Sequence, residues 1–152
     1  MSALLLLDDD PARVVAAAEA LAALGLPLAL EHARTLRELE ARLERAPLPW
    51  LISLDYDLGT PHVVREGVVD DPGTGLGAAR VLAARGHRGQ VLVHSSAPSA
   101  AEGMRELLAD AGVSVARAPL GAADASAWAE AVLARWQARR HDLGSRPGGR
   151  TL

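Results

Sequence analysis

The strongest constraint on the fold of this chain is an alternation of five short apolar runs with five segments of helical spacing. The runs lie at residues 4–7, 26–30, 50–54, 91–93 and 113–116. Strands that alternate with helices form a parallel sheet with helices on both faces, because the connecting crossovers are right-handed. We therefore predict an α/β fold with a doubly wound, five-stranded parallel sheet.

Two helix starts carry recognisable capping signals. Asp10 stands directly before Pro11, which combines a favourable N-cap with proline in the first helical turn. Thr35 precedes Glu38 by three residues, the spacing of a capping box. These signals predict one helix after the first apolar run and another after the second.

The expected single domain spans residues 1–142, an ordinary size for one hydrophobic core. The last helical segment carries Trp128 and Trp136, whose spacing predicts packing in the core. Residues 143–152 are rich in Gly, Arg and Pro, and we expect them to form a disordered C-terminal tail.

Composition excludes several classes of function. The chain has no Cys, which removes disulfides, zinc sites with Cys ligands and thiol nucleophiles. Its net charge of −3 does not indicate a general nucleic-acid-binding surface. The first apolar run, Ala3 to Leu7, is too short to cross a membrane, and no basic region of a signal peptide precedes it. We expect a soluble, cytoplasmic protein.

The polar residues that could carry chemistry follow the apolar runs. In a doubly wound fold, ligands bind beyond the carboxyl ends of the strands, so these residues are expected at one edge of the sheet. They are Asp8, Asp9 and Asp10 after the first run, Asp55 and Asp57 after the third, and His94, Ser95 and Ser96 after the fourth.

Carboxylates gathered at one edge repel each other unless a positive group lies among them. A divalent cation with oxygen ligands, Mg²⁺ above all, fits this need. The alternative is that these are solvated acids at strand ends, with Asp10 acting only as a helix cap.

Three further features each allow a functional and a structural interpretation. His94 suits a general acid–base, but a histidine at a strand end also serves structure. Ser95 and Ser96 suit either contacts to a phosphoryl oxygen or the start of a helix. Residues 73–75, Gly-Thr-Gly, suit either an anion held by backbone N–H groups or a tight turn with a helix cap.

These residues resemble the receiver domains of two-component signalling, whose flavodoxin-like (βα)5 architecture matches the predicted fold. Asp8 and Asp9 resemble the acidic metal-binding pair of receivers, and Asp55 resembles their phosphorylated aspartate. Ser96 with Ala97 resembles the Thr/Ser–Ala pair that follows the fourth strand. Receivers carry a Lys before a Pro after the fifth strand, whereas this chain has Ala118 there and contains no Lys.

A narrower resemblance is to the cyclic-phosphate processing receiver-like family. Its approximate motifs, L-D-D-E-x-P, S-L-D-H-D-L-G, G-T-G and H-S-x-N-P followed by Met, are similar to segments 7–11, 53–59, 73–76 and 94–98 and to Met104. The order and spacing of the four motifs agree. Tyr56 stands where the family has His, and Ala97 where it has Asn.

This resemblance implies phosphoesterase-type processing of 2′,3′-cyclic phosphate ends of RNA or nucleotides. The implied catalytic residues are Asp55, His94, Ser95 and Ser96, and the implied phosphate-binding residues are Gly73, Thr74, Gly75 and Ser96. The implied ligands of Mg²⁺, or of Mn²⁺, are Asp8, Asp9, Asp55 and Asp57. The alternative is a divergent, non-catalytic receiver that binds metal, accepts a phosphoryl group on Asp55 and signals to a partner.

Overall fold

The computed structural model describes residues 1–63, 67 and 69–145, and in these it contains seven strands and five α-helices. In chain order they are β1 (Ser2–Leu7), α1 (Pro11–Leu24), β2 (Leu28–Ala33), α2 (Leu36–Leu43), β3 (Leu51–Leu54), β4 (His62–Val63), β5 (Val69–Asp70), α3 (Gly75–Ala84), β6 (Gln90–Val93), α4 (Pro98–Asp110), β7 (Ser114–Arg117) and α5 (Ser126–Ser145).

The main sheet confirms the predicted doubly wound architecture. Its five strands are all parallel and lie in the order β2-β1-β3-β6-β7, with β3 at the centre between β1 and β6. The register aligns Leu7 with Leu54 and Leu54 with Val93. The neighbouring strands β1, β3 and β6 therefore end at the same level. The residues that directly follow them lie together at the same edge of the sheet.

Helices cover both faces of the sheet, as alternating apolar side chains require. Along β1, Leu4 and Leu6 belong to the core that contains Trp128, and Leu5 and Leu7 belong to the core that contains Met104. The first core is formed with α1 and α5, and the second with α2, α3 and α4. Trp128 is fully buried, as its spacing in the sequence predicts.

The predicted helix caps are also found. The Asp10 carboxylate accepts a hydrogen bond from the Ala12 backbone N–H at 2.9 Å, and the Thr35 hydroxyl accepts one from the Glu38 N–H at 3.1 Å. Glu38 completes the second cap through its carboxylate, which accepts a bond from the Arg34 N–H at 2.6 Å. These interactions set where α1 and α2 begin.

Two regions differ from the sequence prediction or extend beyond it. The segment between Gly59 and Gly73 contains the short antiparallel pair β4 and β5, whose two-residue strands are too short to show a periodic pattern in the sequence. Helix α5 continues to Ser145, and residues 146–152 of the predicted tail lie outside the described residues. Among the described residues, no helix combines the length and the apolar character needed to cross a membrane.

Candidate functional site

The carboxyl edge of the sheet brings Asp8, Asp55 and His94 together. Each follows the last residue of a central strand, and backbone hydrogen bonds from Asp55 to Leu7 and from His94 to Leu54 continue the ladder to this point. One ligand atom from each of the three lies within 4.8 Å of the others, and all three residues are buried. We call this group the Asp–Asp–His cluster. Its carboxylates could hold a divalent metal ion.

A positive side chain lies among these acids. Arg13, in the first turn of α1, donates to both oxygens of Asp8, from Nε at 2.8 Å and from Nη2 at 2.9 Å. The same Nη2 donates to the Asp55 carboxylate at 3.1 Å. Asp9 and Asp10 lie 3.7 and 3.3 Å from the guanidinium. One positive charge faces four negative ones, so three negative charges remain for another cation to balance.

Asp8 accepts four hydrogen bonds in all. Besides the two from Arg13, the backbone N–H of Asp10 donates to Oδ1 and His94 Nε2 donates to Oδ2, both at 2.9 Å. Burial alone would raise the pKa of Asp8, but the hydrogen bonds from His94 and Arg13 outweigh it and hold the pKa well below its usual range. Asp8 is therefore a carboxylate at every pH at which the protein would work.

Asp55 has fewer partners than Asp8. Its Oδ1 accepts from the Tyr56 backbone N–H at 2.9 Å, and its Oδ2 accepts from Arg13. Burial raises the pKa of Asp55, and the negative charge of Asp8 adds to this rise, against the opposing effect of His94 and Arg13. The two acids of the cluster therefore differ: Asp8 is strongly stabilised as an anion, and Asp55 is not.

His94 is held by side chains at both ring nitrogens. Its Nε2 faces Asp8, and its Nδ1 lies 2.7 Å from the Ser53 hydroxyl. Ser53 in turn accepts a hydrogen bond from the indole N–H of Trp128 at 3.0 Å. Because indole only donates and carboxylate only accepts, Trp128 donates to Ser53 and His94 donates to Asp8. A proton therefore lies on His94 Nε2.

The other two predicted metal ligands lie outside the cluster. Asp9 is partly exposed and reaches the guanidinium of Arg13 at 3.7 Å. Asp57 is exposed, and its Oδ1 accepts a hydrogen bond from the Gly59 backbone N–H at 3.0 Å. A cavity of about 340 Å³ opens beside Asp9 and is bordered by Arg34, Glu38 and Thr60. The edge of the sheet thus has a buried centre and an open side.

The Gly-Thr-Gly segment is engaged within the protein. The N–H of Gly73 donates to the Asp71 carboxylate at 2.9 Å, and the N–H of Gly75 donates to the Tyr56 carbonyl at 2.7 Å. Thr74 caps α3 by accepting from the Gly77 N–H at 3.1 Å. In the structure this segment therefore forms a tight turn and a helix cap. The binding of phosphate by the segment stays a prediction.

The two serines lie between β6 and α4. Ser95 accepts a hydrogen bond from the Ala97 backbone N–H at 3.2 Å, and Ser96 is exposed. The catalytic role predicted for both serines remains a prediction.

Sequence reasoning did not identify Arg13 or Ser53 as parts of the site. Arg13 carried a signal, because its spacing of three and four residues from Asp10 and Asp9 puts it on the same side of the helix start. Ser53 carried another, because it is the one polar residue in the buried strand Leu51–Leu54. A buried polar side chain needs a hydrogen-bond partner, and here it has two.

Comparison with known proteins supports a receiver-like domain. A protein-family model described as the cyclic-phosphate processing receiver domain matches residues 3–110. No curated protein matches the chain.

Several solved structures that are similar to this chain are response regulators. The N-terminal domain of a response regulator/sensory box/GGDEF three-domain protein from Carboxydothermus hydrogenoformans is 17% identical, with a TM-score of 0.65, 93% of this chain covered and 99% of that one. The phosphorylated cyanobacterial phytochrome response regulator RcpA is 18% identical, with a TM-score of 0.60 and coverage of 90% and 94%. The Mn²⁺-bound form of response regulator Rcp1 is 20% identical, with a TM-score of 0.57 and coverage of 90% and 94%.

Proposed function

Because this chain belongs to the cyclic-phosphate processing receiver domain family, we propose that it is a divalent-metal-binding domain that processes cyclic phosphates. The substrates we propose are 2′,3′-cyclic phosphate ends of RNA or of nucleotides. The observation that carries the proposal is the Asp–Asp–His cluster, where two buried carboxylates and a histidine meet at the ligand-binding edge of the fold.

The cation we propose is Mg²⁺ or Mn²⁺. Carboxylate oxygens suit both ions, and Asp8, Asp9 and Asp55 are the proposed ligands, with Asp57 as a further carboxylate at the same edge. The Mn²⁺-bound response regulator Rcp1 supports the choice by analogy of fold. Bound here, the ion would neutralise the charge of a phosphodiester and polarise it.

The reaction we propose is hydrolysis of the cyclic diester. A water oxygen forms a new bond to phosphorus, one of the two ring P–O bonds breaks, and a proton moves to the departing 2′- or 3′-oxygen. Asp55 is assigned to the attack, either by orienting the water and accepting its proton, or as the nucleophile, in which case water then breaks the bond between Asp55 and phosphorus and restores the carboxylate. Ser95, Ser96 and residues 73–75 are assigned to the non-bridging oxygens.

His94 is assigned to the proton that the departing oxygen takes up. In the structure its Nε2–H points at Asp8, so transfer to a substrate requires this bond to open. Until then, His94 fixes the orientation of the Asp8 carboxylate. The buried bonds to Ser53 keep the ring in place while Nε2 exchanges partners.

The cavity beside Asp9 is the proposed binding site for the nucleoside. Its volume of about 340 Å³ falls in the range of small-molecule sites. Arg34 and Glu38 at its border offer hydrogen-bond donors and acceptors for a base or ribose. Because Asp9 lines this cavity, a nucleotide bound there is proposed to hold its cyclic phosphate next to Asp9.

The test is direct hydrolysis. Purified protein with Mg²⁺ or Mn²⁺ is incubated with a 2′,3′-cyclic mononucleotide and with an RNA oligonucleotide ending in a 2′,3′-cyclic phosphate. We expect the monophosphate as product, and Asp55→Asn should abolish its formation while the exposed Asp57→Asn retains part of it. Intact substrates together with confirmed metal binding would show that the domain does not catalyse this reaction.

The second candidate function is a signalling module that accepts a phosphoryl group on Asp55. The end of β3, where Asp55 lies, and the similarity of fold to a phosphorylated response regulator favour it. Incubation with acetyl phosphate followed by intact-mass measurement tests it. A phosphoryl adduct that is absent in Asp55→Asn and present in Asp57→Asn supports this function, and unmodified wild-type protein argues against it.

A further inference from the structure

Arg13 is a long cationic side chain that lies where a metal ion would bind. Its guanidinium bridges Asp8 and Asp55 and also lies within 3.7 Å of Asp9. These are the three proposed metal ligands. The chain itself therefore supplies part of the positive charge that the acidic edge requires in this structure.

The hydrogen bonds of Asp8 show that Arg13 and a metal ion exclude each other. An ionised carboxylate has about four lone-pair positions, and Asp8 uses all four: two for Arg13, one for the Asp10 N–H and one for His94. An ion can bind Asp8 only if one of these donors leaves. The oxygen of Asp55 that faces the cluster also accepts from Arg13.

Of the three donors, Arg13 is the one best able to leave when no substrate is bound. The Asp10 N–H belongs to the backbone at the start of α1, where its place is set by the helix cap. The side chain of His94 is fully buried and is also held by Ser53. Arg13 has 28% of its side chain exposed and several rotatable bonds, so its guanidinium can swing into solvent.

We infer that Arg13 is a tethered cation that competes with the divalent metal for Asp8 and Asp55, so that the metal binds only when the guanidinium withdraws. This inference rests on the metal binding in the proposed function and adds a residue that regulates it. Without the metal, the guanidinium keeps two buried carboxylates paired. The cost of displacing it weakens metal binding, because these charge-assisted bonds must be broken first.

The test compares the Mn²⁺ affinity of wild-type protein and Arg13→Gln by calorimetric titration. Gln keeps a polar side chain but removes the charge, so we expect Mn²⁺ to bind at least about tenfold more tightly to the variant. Arg13→Lys keeps the charge without the two-pronged contact and should give an intermediate affinity. Arg80→Gln, at an exposed position of α3, is the matched control and should bind as the wild type does.

A second readout is the thermal midpoint of unfolding. Without metal, Arg13→Gln should unfold at a lower temperature than the wild type. Saturating Mn²⁺ should raise the thermal midpoint of the variant by more than it raises the midpoint of the wild type. If Arg13→Gln fails to fold, the same two measurements on Arg13→Lys test the inference.

Equal or weaker Mn²⁺ binding in the Arg13 variants, with measurable binding in the wild type, would overturn the inference and leave the proposed metal site standing. Absence of Mn²⁺ binding from all of the proteins would overturn both.

Discussion

A line of hydrogen bonds connects Trp128, Ser53, His94 and Asp8 through the middle of the sheet. All four side chains are buried, and each bond is between 2.7 and 3.0 Å long. The line connects the hydrophobic core to the acidic edge, so the orientation of Asp8 depends on a tryptophan in α5. A buried network of polar side chains is stabilising only while every side chain in it keeps its hydrogen-bond partner.

Ser53→Ala should break this line at its centre. The indole N–H of Trp128 and Nδ1 of His94 would both lose their partner while remaining buried, at a cost of about 1–3 kcal/mol for each such group. We expect the free energy of unfolding to fall by roughly 2–6 kcal/mol in urea denaturation. Ser99→Ala, at an exposed position in the first turn of α4, should change it by no more than about 0.5 kcal/mol. Equal effects of the two substitutions would show that the line contributes nothing to stability.

At the scale of elements, the start of α3 packs directly on the end of β3. Gly75, the first residue of α3, donates its N–H to the Tyr56 carbonyl at 2.7 Å. A Cβ at this position would lie 1.9 Å from the carbonyl oxygen of Asp55, far inside van der Waals contact. Glycine is required here because the helix approaches the backbone of the cluster itself, rather than for the shape of a turn.

Gly75→Ala should therefore push α3 away from β3 or displace Asp55. We expect a loss of about 1–3 kcal/mol in the free energy of unfolding and weaker Mn²⁺ binding, because the clash is with backbone that cannot rotate away. Gly103→Ala is the matched control, since a Cβ there has no neighbour within 4 Å in the middle of α4. It should stabilise the protein by about 0.5–1 kcal/mol. Urea denaturation measures the stability of both variants, and calorimetric titration measures their Mn²⁺ affinity. If Gly75→Ala keeps the stability and the Mn²⁺ affinity of the wild type, the close approach of α3 to the backbone of Asp55 is contradicted.

At the scale of the whole molecule, the response to acid depends on a histidine at the opposite end of the sheet from the site. His87 is buried just before β6, and its Nε2 has no hydrogen-bond partner within the described part of the chain. Burial lowers the pKa of His87. A group whose pKa is lowered by folding is protonated more readily in the unfolded chain, so acid favours unfolding.

The free energy of unfolding should therefore decrease as the pH falls through the ordinary titration range of histidine, near pH 6.5. His87→Leu should make the dependence between pH 7.5 and 5.5 shallower, because the unfolded chain no longer gains a proton at this position. Asp8 does not interfere, since its pKa lies well below this window. Urea denaturation at both pH values measures the effect in wild type and variant, and parallel curves would show that His87 does not contribute.

The alternation of apolar runs and helical segments was enough to predict the sheet, its parallel strands and the helices on both faces. It also predicted that Asp8, Asp55 and His94 share one edge, because parallel strands of similar register end at the same level. These are properties of local pattern and of chain direction. They can be predicted from the sequence because hydrophobic burial depends mainly on which residues are apolar and how they are spaced.

Only the tertiary structure decided which partner each polar side chain takes. The sequence indicated that the acids need a positive charge, but Arg13 became that charge because α1 starts beside the end of β3, 42 residues further along the chain. Ser53 reaches His94 and Trp128 across separations of 41 and 75 residues. Hydrogen bonds and ion pairs depend on distances of a few tenths of an ångström, and these distances are set by packing between elements that no local pattern specifies.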